Sequence, residues 1–140
     1  MQGCTCGNPL RVSATMTSLN APRNTILFST AKKELFSPSS GLKQLQRRLR
    51  ATWKVGTVKD NLSAAALSEA ALVVFAGPRE KFSAAEFSGL KEYMEDGGSL
   101  LFMLGEWGES RFDTNINFLL EEFGVVINNV GRQVPTTHPA

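Results

Sequence analysis

Two segments of this chain gather charges and an aromatic residue between glycines: Gly77-Pro78-Arg79-Glu80-Lys81-Phe82 and Gly105-Glu106-Trp107-Gly108-Glu109-Ser110-Arg111-Phe112. One chemistry open to them is acid/base or metal work by Glu106 and Glu109, with Arg79 or Arg111 gripping an anionic substrate. The other is pairing among the charges themselves. Two carboxylates three residues apart in a Gly-rich segment have no fixed mutual geometry, and adjacent arginines pair with carboxylates rather than hold one as a proton donor. Structural pairing is therefore the stronger reading. Arg111 is close enough in sequence to pair with Glu109 or with a carboxylate on a neighbouring loop, and Thr114 or Asn115 is placed to cap a helix that begins at Ile116. On that reading, removing Arg111 destabilises the fold. Trp107 either folds back into the core or stands exposed for a partner, and the residues alone do not decide between the two.

No nucleophile system can be assembled around these segments. The single histidine, His138, lies in a C-terminal stretch without periodicity, so a Ser-His-Asp or Cys-His arrangement lacks its base. The nucleophile elbow G-x-S-x-G, the phosphate loop G-x-x-x-x-G-K-[ST] and the G-x-G-x-x-G fingerprint are all absent. Cys4 and Cys6 have one residue between them and no second pair, a poor match to zinc spacing. The expectation is no catalytic residue, no metal and no cofactor. A basic set, Lys43, Arg47, Arg48 and Arg50, reads as the solvated face of an amphipathic helix ahead of a contact for an acidic partner.

The elements that must position these segments alternate. Thr25-Ile26-Leu27-Phe28-Ser29 is a short run of β-branched and aromatic residues, a first strand. Leu42, Leu45 and Leu49 recur at helical spacing after a Ser/Pro/Gly breaker, residues 53–58 alternate like a strand, and residues 62–67 form a short helix with Ser63 near its start. Residues 71–76 and 99–104 are continuously apolar and each stops at glycine, as strands covered on both faces do. Between them Ser83 and Glu86 form a capping box. The helix it opens carries Phe87, Leu90 and Met94 as its stripe and ends at Gly97-Gly98. A last helix over 116–123, closed by Gly124, leads into Val125-Val126-Ile127, a fifth strand. Alternation at these lengths requires crossover connections and a mainly parallel, doubly wound, flavodoxin-like α/β sheet. Ligands bind such sheets beyond the carboxyl ends of the strands, which directs attention to the loops after Thr30, Gly77 and Gly105.

Composition sets the outer bounds. With 140 residues, 42% hydrophobic and 20% charged, the chain has the make-up of one globular domain rather than a disordered polymer. A net charge of +2 is too small to imply a nucleic-acid surface, and no apolar run approaches the roughly 20 residues that cross a bilayer. Residues 1–23, without an acid and rich in Ser, Thr and Asn, read as a disordered extension, residues 24–129 as the N-terminal part of an α/β domain, and 130–140 as an irregular tail.

Several runs carry a resemblance. Thr25-Ile26-Leu27-Phe28, Ala76-Gly77-Pro78-Arg79-Glu80-Lys81-Phe82 and Met103-Leu104-Gly105-Glu106 resemble the N-terminal domain of the intraflagellar transport protein 52 family. The longest run is Gly108-Glu109-Ser110-Arg111-Phe112-Asp113-Thr114-Asn115-Ile116-Asn117-Phe118-Leu119-Leu120-Glu121-Glu122, which is similar to that family's signature. The resemblance covers about residues 24–129. It implies a GIFT domain, of a class similar to the sugar-binding and glutamine-amidotransferase α/β folds but without their catalytic residues. It further implies a non-catalytic interaction role in a core subunit of intraflagellar transport complex B. The implied partners are other complex B subunits, with no nucleic acid, no membrane insertion and no small molecule. The implied location is the cilium or flagellum and basal body, with a cytoplasmic pool. Arg79, Glu80, Lys81, Glu106, Trp107, Glu109 and Arg111 become partner-binding or motif candidates. Trp107 stands where the family pattern has a small residue, and the chain departs from the pattern after Asn129, as a truncated domain would. The alternative is a small-molecule-binding or hydrolytic domain of the amidotransferase-like class.

Overall fold

Short β-rich runs separated by helical ones can bury their backbone polar groups only by pairing side by side through crossovers. In the computed structural model, which describes residues 22–129, they do so. Four strands, β1 (Thr25–Ser29), β2 (Lys54–Val58), β3 (Ala70–Ala76) and β4 (Ser99–Met103), form one sheet in the order β2-β1-β3-β4. Every pairing is parallel. The order is that of the first four strands of a flavodoxin-like sheet.

Because successive strand residues point to opposite faces, β3 feeds two cores. Val73 and Phe75 enter the larger one with Leu67, Leu90, Tyr93, Ile116 and Leu119, while Val74 and Ala76 join Ile26 and Phe28 on the other face. Helix α1 (Lys43–Leu49) covers the smaller core with Leu49 and the preceding Leu42. Helices α2 (Ala64–Leu67) and α3 (Ala84–Glu95) cover the larger one, so the sheet is wound on both faces. Ser63 caps α2, and Ser83 with Glu86 forms the expected capping box of α3. At the far end of α3, Gly97 has φ +94°, and a Cβ on Gly98 would fall 2.2 Å from the Tyr93 ring. That close approach lets the Tyr93 hydroxyl donate to the Ala70 carbonyl at 3.0 Å and accept from the Ser99 amide at 3.3 Å, tying helix to sheet.

Three expectations are corrected. β4 is not covered on both faces: it lies at the sheet edge among the described residues, with Leu101 and Met103 exposed. The helix expected over 116–123 is broken into α5 (Asn117–Leu120) and a 3-10 turn (Glu121–Phe123), ended by Gly124 at φ +75°. A further short helix, α4 (Gly108–Phe112), precedes them. Val125-Val126-Ile127 forms no strand. The Asn117 side chain accepts from the Ile127 amide at 2.8 Å and donates to its carbonyl at 3.0 Å, occupying the groups that a neighbouring strand would use.

Within one face of the sheet, the centre and the edge predict different costs. Phe28→Ala, at a position 1% exposed, is expected to lose about 3 to 5 kcal/mol. Leu101→Ala, at 44% exposed, should change stability by no more than about 0.5 kcal/mol. Chemical denaturation of the two variants checks the assignment of β4 to the edge.

Candidate functional site

The order β2-β1-β3-β4 reverses winding between β1 and β3, and the loops beyond their carboxyl ends flank the crevice where such folds take ligands. Here the two loops are laced to each other. Leu35 and Phe36 donate from their amides to the carbonyls of Gly77 (2.9 Å) and Ala76 (3.1 Å), and the Arg79 amide donates to the Lys32 carbonyl at 2.8 Å. Arg79 Nε reaches the Lys33 carbonyl at 3.0 Å, and Lys33 pairs with Glu80 at 2.7 Å on the surface.

At the centre is a residue the sequence reading passed over. Lys32 is 7% exposed, and its Nζ lies 2.7 Å from Glu86 Oε2, 3.1 Å from the Lys81 carbonyl and 5.0 Å from the Phe82 ring centroid. The same Glu86 oxygen accepts from the Ser83 amide at 2.7 Å, so one carboxylate serves both the capping box and the buried lysine. Partial burial opposes the charge on Glu86, but the hydrogen bonds from Lys32 and Ser83 and the attraction of the lysine outweigh it and hold the carboxyl below the usual glutamate range. Asn115 closes the crevice from its far side, accepting from the Phe82 amide at 2.7 Å and donating to the Phe82 carbonyl at 3.0 Å.

The loop after β4 divides its candidates. Glu109 caps α5, its Oε1 accepting from the Asn117 amide, while its own amide donates to Asn129 Oδ1 at 2.9 Å. Glu106 and Arg111 are exposed, and neither forms an ion pair among the described residues. The expected Glu109–Arg111 pair is therefore replaced by a helix cap. Neither expected cap residue caps, since Asn115 is spent on Phe82 and the Thr114 hydroxyl is buried without a hydrogen-bond partner. Trp107 is 46% exposed and held at φ +74°, ψ +5°, a left-handed conformation costly for a residue with a Cβ.

Of the sequence candidates, the structure brings Arg79, Glu80 and Lys81 together against the loop after β1, and Glu109 against α5 and Asn129. It leaves Glu106, Trp107 and Arg111 facing solvent. Cys4, Cys6 and His138 lie outside the described residues. Among those described, no group of three or more His, Cys, Asp or Glu is arranged to hold a metal ion, and no helix is long and apolar enough to cross a membrane. Lys32, three residues after β1, carries no local signal, because its partners lie 49 and 54 residues further on; Asn115 stood out in the sequence only as a helix cap, and Asn117 not at all.

Two outcomes follow. Arg111→Ala should leave the melting temperature unchanged, whereas Asn115→Ala, which strands the Phe82 amide, should cost about 1 to 3 kcal/mol. Because the folded-state value of Glu86 is depressed, its contribution is complete above the unfolded glutamate value and is lost as pH falls through the folded one. Urea titrations across the acid range should show that loss in the parent and a flatter profile in Glu86→Gln.

Comparison with known proteins places this geometry. A family model described as the IFT52 GIFT domain matches residues 25–137. The chain is 57% identical over 107 residues to the "Intraflagellar transport protein 52 homolog" of Mus musculus and 54% identical over 107 residues to that of Homo sapiens. Each match takes in 76% of this chain, but 25% of the mouse relative and 24% of the human one, so the chain spans about a quarter of the length of these relatives. A solved structure, "mmIFT52 N-terminal domain", superposes with a TM-score of 0.72 at 56% identity, over 75% of this chain and 47% of that one. Thus the parallel α/β sheet, with the crevice between its β1 and β3 loops closed by Lys32, belongs to the IFT52 GIFT-domain family.

Proposed function

We propose that this chain acts as a non-catalytic protein–protein interaction domain of a core subunit of intraflagellar transport complex B, in the assembly of cilia and flagella and in transport along the axoneme. Its partners on this reading are other complex B subunits. Its locations are the cilium or flagellum and the basal body, supplied from a cytoplasmic pool. Family membership supports the complex, and one observation carries the interaction role. The polar residues at the ligand end of the sheet are engaged with one another: Lys32 with Glu86, Arg79 with Lys33, and Asn115 with Phe82. A substrate there would have to displace a buried ammonium from its carboxylate, at a cost of several kcal/mol. What remains for recognition is the outer surface.

Trp107 is the best-placed contact on that surface, with Glu106 and Arg111 exposed beside it in sequence. A half-exposed indole in a left-handed turn is strained without serving the core, and such outliers cluster at functional positions. Replacing it offers a test free of misfolding. Trp107→Gly relieves the strained φ, so its melting temperature should not fall. Capture of purified complex B subunits by the tagged variant should weaken at least about tenfold if the indole is an anchor. Equal capture by parent and variant removes Trp107 from the contact surface, and a parent chain that captures no complex B subunit overturns the interaction reading as a whole.

A further inference from the structure

The small net charge conceals a strong separation. Residues 35–59 contain six cations, Lys43, Arg47, Arg48, Arg50, Lys54 and Lys59, and no acid, whereas residues 60–129 contain twelve acids and four cations. The structure keeps the two populations apart. Ion pairs among the described residues engage Lys32, Lys33, Lys81 and Lys91, all outside the basic band, and none engages a residue within it. The band runs through α1 and along β2, the strand at the opposite edge of the sheet from β4.

Helix α1 is also the least embedded of the longer helices. None of its residues is fully buried, and Leu45 on it is 42% exposed. Against the turn before it, α1 forms an open groove of about 440 Å³ lined by Pro38, Ser39, Lys43, Gln46, Arg47 and Arg50. Two guanidinium groups and an ammonium thus share one concave surface without a carboxylate among the described residues to neutralise them. Guanidinium presents a planar fork of donors that matches a carboxylate bidentately, and a set of such forks along a groove selects a string of carboxylates.

We infer that the α1 groove is a docking surface for an acidic, Asp/Glu-rich segment of a partner protein. This deepens the interaction reading above and rests on it. Charge complementarity selects the partner chemistry, and the distribution of charge favours protein over a long polyanion. A nucleic-acid duplex or an anionic bilayer laid on the band would extend past it towards residues 60–129, which carry nine exposed acids, and repulsion there would offset the gain. A short acidic segment confines its charge to the groove. An acidic face of a second copy of this chain is the other candidate occupant, and sedimentation distinguishes it.

The test uses the chain intact and a fluorescent peptide of Glu-Gly repeats as probe, followed by anisotropy. The peptide should bind and lose affinity as salt rises from about 50 to about 300 mM, as screening of exposed charges requires. Arg47→Glu with Arg50→Glu should weaken binding at least about tenfold with an unchanged melting temperature, and Lys91→Glu on α3 should leave binding as it is. Equal binding by the double variant, tighter binding of a single-stranded oligonucleotide or of phosphatidylserine vesicles than of the peptide, or salt-sensitive self-association in place of peptide binding would each overturn the assignment. If the double variant still captures the complex B subunits that the parent captures, this surface is the wrong one and the interaction reading stands. If the parent captures none, the interaction reading itself has failed.

Discussion

A single ammonium group organises the end of the sheet where folds of this type do their chemistry. Lys32 leaves water to sit between a carboxylate, a carbonyl and an aromatic face, and those three partners come from the loop after β3 and the first turn of α3. A buried cation is tolerated only with such company, and once in place it demands that the company stay. The loop after β1 is therefore fixed against the loop after β3, and the start of α3 against both. Asn115 extends the arrangement by holding the Phe82 backbone from the segment that enters α5, and Glu109 and Asn117 carry it on to residues 127–129. The crevice is closed from within by polar groups that satisfy one another.

This closure explains why the charged segments admitted a catalytic reading beside the stronger one of structural pairing. Residue types that grip a substrate are the same types that grip a neighbouring loop, and only the distances tell them apart. Arg79 spends its Nε on a main-chain carbonyl of the facing loop, and Glu109 spends its carboxylate on the amide of Asn117. Both acts are structural. Glu106, Trp107 and Arg111, from the same signature segment, remain at the surface, so that one short stretch of sequence serves both the fold and whatever lies outside it.

Local signals in the chain were legible and non-local ones were not. The capping box of Ser83 and Glu86, the cap at Ser63 and the four strands are each written within a few residues, and each forms where the pattern placed it. Val125-Val126-Ile127 has the composition of a strand, but strand formation depends on a partner elsewhere, and the Asn117 side chain takes that partner's place. The apolar run in β4 reads as buried on both sides, yet Leu101 and Met103 lie beyond the reach of α1, the helix on their side of the sheet. Arg111 stands two residues from Glu109 in sequence, and proximity of that kind does not decide which way two side chains on a short helix point. Lys32 was invisible for the same reason: its partners are 49 and 54 residues away.

The account makes the Lys32–Glu86 contact a coupled pair rather than two separate surface charges. The most direct measurement is a double-mutant cycle with Lys32→Met, Glu86→Gln and the double variant, each unfolded in urea near neutral pH. A coupled pair of this burial predicts that the singles together cost more than the double, with an interaction free energy of at least about 1 kcal/mol. Additive effects, with the double variant losing as much as the two singles combined, would contradict the claim that this contact closes the crevice.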